Sequence, residues 1–293
     1  MMPAFGKKAK WTPMIKPSVC LYPFGTPDPR LFLRIAQLGY AGVEPLGEPD
    51  QLSCWKSGET VLPVTSITAA ARMSKGRDLT SADAGIRMRT IDHYRLCLDE
   101  AERLGAPSIG VAVAAVGRHW LNDELDTELS RAADGLAFLQ QTASPRGILL
   151  CLEVLNRYAS PYLNTVSSAL AFLNQHGLEK IMLGLDFFHM NIEEASIPGA
   201  LRLCGARLGN LHVCDNTRRK PGSGSIDFRA AGAALAEIGY QSAAALETAA
   251  LASAVGQEAA TPGALSELYS DLEDYVPFLR QSAWPLQMTG ATA

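Results

Sequence analysis

Four short apolar runs in the second half of this chain each end on a residue that binds metals and is costly to bury. Glu153 closes Cys151-Leu152, Asp186 closes Gly184-Leu185, His212 follows Leu211, and Glu247 follows Ala245-Leu246. Successive members are 33, 26 and 35 residues apart, each close to one strand–helix–strand unit. Parallel strands covered on both faces read as continuous apolar runs, and right-handed crossovers bring their C-terminal ends to one rim. Three carboxylates and one imidazole at such a rim form a ligand set for a hard or borderline divalent cation, Mn²⁺, Mg²⁺ or Co²⁺. In parallel barrels that rim is where active sites lie.

The rest of the chain fits the same plan. Strands are expected at Pro17–Tyr22, Ala41–Glu44, Val61–Thr65, Ser108–Ala112, Ile148–Val154, Ile181–Asp186, Leu208–Val213 and Ala243–Glu247. Helical stretches fall between most of them. In Arg87–Leu104 the residues Met88, Ile91, Leu98, Ala101 and Leu104 share one stripe, and Gly105 and Pro107 follow as stops. Further helices are expected at Leu163–His176 before Gly177, at Asp227–Ile238 before Gly239, and at Leu265–Leu279, where Pro277 bends or shortens the end. Leu46–Thr60 carries little helical signal. Eight strands alternating with helices predict an α/β fold, a (β/α)₈ TIM barrel forming a single domain over 1–293, with tails at 1–15 and 282–293. An open doubly wound sheet is the rival, but Tyr22-Pro23-Phe24-Gly25-Thr26-Pro27 lacks the glycine-rich phosphate turn that sheet carries after its first strand.

Hydrophobic residues make up 47% of the 293 residues, enough for a sizeable core. A net charge of −4 and a pI near 5.8 argue against a nucleic-acid partner. The Lys7, Lys8, Lys10 cluster reads as a solvated tail. Cys20, Cys54, Cys97, Cys151, Cys204 and Cys214 form no C-x-x-C pair and read as buried thiols in a reducing compartment. With neither a membrane-length apolar run nor a secretory signal in Met1–Trp11, the expected location is cytoplasmic, with no membrane partner.

Each candidate also has a plainer role. Glu153 is equally suited to a buried salt bridge, Arg157 being the nearest partner. Asp186 is well placed to cap a helix, and Glu193 and Glu194 to favour the first turn of the next one. His189 suits a hydrogen-bonded loop position. The segment Asn216-Thr217-Arg218-Arg219-Lys220-Pro221-Gly222-Ser223-Gly224-Ser225 reads either as a cradle for an anion or polyhydroxyl substrate, using backbone N–H groups and Arg218, or as a mobile surface loop. Glu44 ends the second strand and suits a structural salt bridge, or the orientation of a substrate or loop. His93 and His176 fall on helices, and His119 lies after the fourth strand without a motif around it.

Glu153-Val-Leu-Asn-Arg157, Asp186-Phe-Phe-His-Met-Asn-Ile-Glu-Glu194, His212 through Arg218 to Gly224, and Leu246-Glu247 together resemble the ketose 3-epimerases, the D-tagatose and D-psicose group of the xylose isomerase-like sugar isomerase/epimerase barrels. The likeness is specific over Ile148–Thr248 and topological before it. It implies that Glu153, Asp186, His212 and Glu247 hold one ion, Mn²⁺ first and Co²⁺ or Mg²⁺ next. It further implies that Glu153 and Glu247 transfer protons through a cis-enediolate, and that His189 and Arg218 hold substrate oxygens. A free ketose as substrate and a homodimer or homotetramer follow from the same likeness. One departure stands out: the family's second glutamate, six residues after the first, is here Ala159. Ala112, Ala114, Ala115 and Gly117 also lack the expected aromatic wall, which suits a larger or glycosylated substrate. The alternative activity on the same scaffold is a metal-dependent lyase, of the inosose or dehydroshikimate dehydratase type or a C-glycoside-cleaving subunit. An abasic-site nuclease would need more metals and a basic groove. A non-catalytic sugar-binding barrel would not need the two glutamates.

Overall fold

Parallel strands and outer helices alternate through the computed structural model, which describes residues 14–25, 29–52, 55, 62–70, 76–250 and 261–286. The strands are β1 (Lys16–Val19), β2 (Ile67–Thr68), β3 (Ser108–Val111), β4 (Leu149–Glu153), β5 (Met182–Asp186), β6 (Leu208–Val213) and β7 (Ala243–Leu246). They pair in the order β1-β7-β6-β5-β4-β3-β2, every pair parallel. Single parallel bridges Cys20–Glu44, Val43–Val64 and Leu46–Thr68 seat segment 43–46 between β1 and β2, in the eighth position of the ring. The fold is the expected α/β barrel.

The second and third strands differ most from expectation. Ala41–Glu44 takes part only through bridges, and pairing with β3 begins at Ile67–Thr68, beyond the expected Val61–Thr65. Val61 itself lies outside the described residues, as do Cys54 and Lys7, Lys8 and Lys10. Pro45 and Pro63 have no N–H to donate, so each interrupts a ladder and contributes only its carbonyl, to Thr68 N (2.9 Å) and Val43 N (3.0 Å).

Helices α1 (Pro29–Gln37), α2 (Pro49–Leu52), α3 (Ala84–Leu104), α4 (Leu125–Ala143), α5 (Val166–Gln175), α6 (Phe187–Glu193), α7 (Ile197–Cys204), α8 (Phe228–Glu237) and α9 (Pro262–Gln281) surround the strands. Asp83 caps α3 through Gly85 N (2.7 Å), and Gly105 ends it at φ 68°. Its buried face runs through Tyr94, Cys97, Leu98 and Ala101, which leaves Met88 exposed rather than on the core stripe. Pro277 does not end α9, which continues to Gln281. Both expected tails are partly packed: Ile15 pairs with Leu286, and buried Trp284 donates to Phe228 O (2.8 Å). Cys20, Cys97, Cys151, Cys204 and Cys214 are buried free thiols. Among the described residues no helix is long and apolar enough to cross a membrane.

Candidate metal centre

β4, β5, β6 and the residue after β7 deliver Glu153, Asp186, His212 and Glu247 to one place. One ligand atom from each lies within 4.8 Å of every other. The register explains the convergence, because Asp186 pairs with His212 and Glu153 with Gly184 on neighbouring strands. Asp186 takes the capping role suggested for it, Oδ1 accepting from Phe188 N (2.9 Å), while Oδ2 takes the Arg218 guanidinium. Glu153 does not pair with Arg157. That arginine instead grips Glu193, whose carboxylate accepts from Arg157 N (2.7 Å) and Nε (2.9 Å).

The site carries more negative charge than its side chains neutralise. Arg218 bridges Asp186 and Glu247 Oε1 (2.8 Å), and Tyr22 donates to Glu247 Oε1 (2.8 Å). Burial pushes the Glu153 carboxyl up to about 7, His212 draws it down, and the Glu247 and Asp186 carboxylates raise it further. Burial would also raise Glu247, but Arg218 and His212 beside it hold that carboxyl well below the usual range. His212 Nδ1 lies 2.7 Å from Glu247 Oε2 and 3.9 Å from Glu153 Oε1. Oε2 is buried and has no hydrogen-bond partner among the described residues, despite that short approach. Four ligand atoms this close together, three of them on carboxylates in a site short of positive charge, fit a divalent cation.

The other nitrogen of His212 is also fixed. Nε2 lies 3.0 Å from Glu44 Oε1, and a carboxylate only accepts, so Nε2 donates and Nδ1 faces the cluster. Glu44 is fully buried and also accepts from Thr68 Oγ1 (2.8 Å) and Asn210 Nδ2 (3.2 Å). The structural salt bridge suited to Glu44 is thus made with His212, and through it Glu44 orients a histidine of the site. The spacing of the four rim residues contains no signal for it, beyond a carboxylate at the end of an apolar run.

His189 and Arg218 both reach the site. His189 Nε2 lies 3.8 Å from Asp186 Oδ2, and burial pulls the imidazole down to about 4. Arg218 is buried, adopts φ 60°, and lies 5.0 Å over the Phe188 ring. The loop that carries it is pinned by tertiary pairs, and N–H groups that an anion cradle would use are taken. Buried Asp215 accepts from the backbone N–H groups of Asn216 (2.9 Å), Gly222 (2.8 Å), Gly224 (2.8 Å) and Ile226 (3.2 Å). Arg219 pairs with Asp271 (2.8 Å) and Glu267 (3.0 Å), and Lys220 with Asp274, all on α9. Gly224 is required there, since a Cβ would collide with Asn216 and Asp215.

Glu194 supports a helix, though not the next one: Oε1 accepts from Val166 N (2.7 Å) at the start of α5, while Ser196 caps α7. Ala159 is half-buried, and its carbonyl accepts from Gly117 N (2.7 Å), joining the loops after β3 and β4. His93 is buried in α3, His176 ends α5, and exposed His119 stays outside the cluster.

The sequence profile described as xylose isomerase-like TIM barrel matches residues 32–265. The chain is similar to D-psicose 3-epimerase of Agrobacterium fabrum, 33% identical over 183 residues that cover 62% of this chain and 63% of that protein. It is 38% identical over 117 residues to 3-dehydro-D-guloside 4-epimerase of Escherichia coli, covering 40% of this chain and 45% of that one. These matches span less than two thirds of the relatives' own length. In three dimensions the chain is similar to D-psicose 3-epimerase with D-tagatose from Clostridium cellulolyticum, with TM-score 0.75, 24% identity, and 92% of this chain and 100% of that one covered.

Proposed function

The chain belongs to the xylose isomerase-like TIM barrel family, and from that premise we propose that it is a metal-dependent sugar epimerase inverting C3 of a free ketose. The observation that carries this reading is the convergence of Glu153, Asp186, His212 and Glu247 within 4.8 Å. An oxygen-rich set with one imidazole suits Mn²⁺ first, then Co²⁺ or Mg²⁺. When bound, the cation supplies electrostatic stabilisation of the charge that develops as a proton leaves the carbon beside the carbonyl.

The remaining work belongs to side chains. One of Glu153 and Glu247 takes the C3 proton, the other returns one to the opposite face of the enediolate, and the reverse reaction exchanges their duties. His189 and Arg218 hold substrate oxygens near the carbonyl. A keto-glycoside is the second substrate reading, supported by Ala159 in place of the family's glutamate and by the likeness to a 3-dehydro-D-guloside 4-epimerase.

The test is product analysis after incubation with Mn²⁺ and a ketohexose panel of fructose, psicose, tagatose and sorbose. An epimer of unchanged mass is expected. A product one water lighter would replace this reading with the lyase on the same scaffold.

A further inference from the structure

His189 has its hydrogen-bonding pattern dictated by the backbone, through a neighbour that takes no part in the cluster. Tyr158 N donates to Asn156 Oδ1 (2.9 Å). A backbone N–H is only a donor, so this contact fixes which end of the Asn156 amide is oxygen. Its Nδ2 then donates to His189 Nδ1 (2.8 Å). Asn156 N points to the same nitrogen (3.3 Å). With two donors directed at Nδ1, that atom carries the lone pair, and the proton of the neutral ring sits on Nε2. Nε2 is the nitrogen on the Asp186 side, toward the site.

We infer that Asn156 is a positioning residue that locks His189 in the Nε2–H tautomer, making it a neutral hydrogen-bond donor to a carbonyl or enediolate oxygen of the bound sugar. The substrate half of this inference rests on the proposed epimerase reading; the tautomer half does not. His212 supplies the contrast. Glu44 holds its Nε2 from behind and turns Nδ1 to the carboxylates of the cluster, whereas His189 is held at Nδ1 and turns Nε2 to the site. A neutral donor suits a substrate oxygen that gains charge during the reaction, because it strengthens as that charge grows and adds no cation to compete for the carboxylates. The turn is built to hold this geometry. Asn156 O accepts from Ala159 N (2.9 Å) and Ser160 N (3.0 Å), and the next residue, Arg157, is clamped to Glu193 at the end of α6, the helix that carries His189. Asn156 is buried, so water does not compete for these contacts.

The experiment is a long-range ¹H–¹⁵N correlation spectrum of the ¹⁵N-labelled full chain loaded with diamagnetic Mg²⁺. The five histidines are few enough to identify His189 by the signals that His189→Gln removes. The expected pattern is an unprotonated, hydrogen-bonded Nδ1 and a protonated Nε2. In Asn156→Asp an acceptor replaces the donor, so the proton moves to Nδ1, and kcat on the ketose falls roughly 10²-fold, the loss of one transition-state donor, with Mg²⁺ affinity unchanged. A wild-type His189 protonated on Nδ1 overturns the inference, as does a folded Asn156→Asp protein with an unaltered pattern. The wild-type spectrum decides the matter even if the variant does not fold. Absence of turnover on every ketose, with the expected tautomer present, would count against the epimerase reading and the substrate half while leaving Asn156's hold on the ring established.

Discussion

Replacing Glu44 with Gln tests whether the buried carboxylate behind His212 sets the strength of the metal centre. Three donor groups converge on Glu44: His212 Nε2 at 3.0 Å, Thr68 Oγ1 at 2.8 Å and Asn210 Nδ2 at 3.2 Å. A carboxylate accepts them all. A glutamine offers one oxygen and turns an NH₂ toward the remaining donor. The charge-assisted bond to His212 is lost, and a buried donor is left facing another, each worth about 1–3 kcal/mol. The imidazole becomes less basic at Nδ1 and less firmly oriented. Removing such an outer partner typically weakens metal binding about 10–100-fold, or roughly 1.4–2.8 kcal/mol. Calorimetric titration of Mn²⁺ into metal-free wild-type and Glu44→Gln proteins reads this directly, with circular dichroism to establish that the variant is folded. Equal affinities in two folded proteins would refute the reasoning, because His212 would then need no support from Glu44.

Three further outcomes are expected. Asp215→Ala strips the partner from four backbone N–H groups and should cost about 2–4 kcal/mol, read as a lower denaturant midpoint, together with weaker substrate binding because Arg218 loses its loop; an unchanged midpoint would contradict the role given to Asp215. Hydrogen bonds from Arg157 hold the Glu193 carboxyl below its usual range, so its contribution to stability is complete above the ordinary glutamate value and fades as pH falls through the lowered one. In acid denaturation curves Glu193→Gln should lie closest to wild type at the lowest pH and furthest from it near neutrality, and a constant gap would contradict this. Mn²⁺ at a hundred times its dissociation constant should add about 2.7 kcal/mol to stability, raising the Tm of the wild type but not of Asp186→Asn to the same degree, and a chelator should reverse the rise.

The barrel and the four rim residues were legible because strand burial and ligand chemistry leave local marks: a polar residue at the end of an apolar run stands out, and the βα pitch carries it to one rim. Other features depend on partners far along the chain. Glu44 and His212 are 168 residues apart, and nothing around Glu44 announces the contact. The loop after β6 reads as basic and glycine-rich, yet its N–H groups are consumed by Asp215 and its cations by α9, so local composition pointed to an anion cradle that tertiary pairing removes. Arg157 is close to Glu153 in sequence but turns to Glu193, across the gap from the β4 turn to α6. The edges of the second and third strands were displaced by Pro45 and Pro63, whose missing N–H groups leave bridges where regular ladders were expected.

The most direct test of the account follows the C3 proton itself. The Mn²⁺-loaded protein is incubated in D₂O with each ketohexose of the panel and followed by proton NMR, with Glu247→Gln protein, shown to hold metal, alongside. The account predicts loss of the C3 proton signal and the appearance of a C3-deuterated epimer for at least one sugar, both absent with Glu247→Gln. An epimer formed without deuterium at C3, or exchange that continues undiminished in the Glu247→Gln protein, would contradict the assignment of proton transfer to this pair of glutamates.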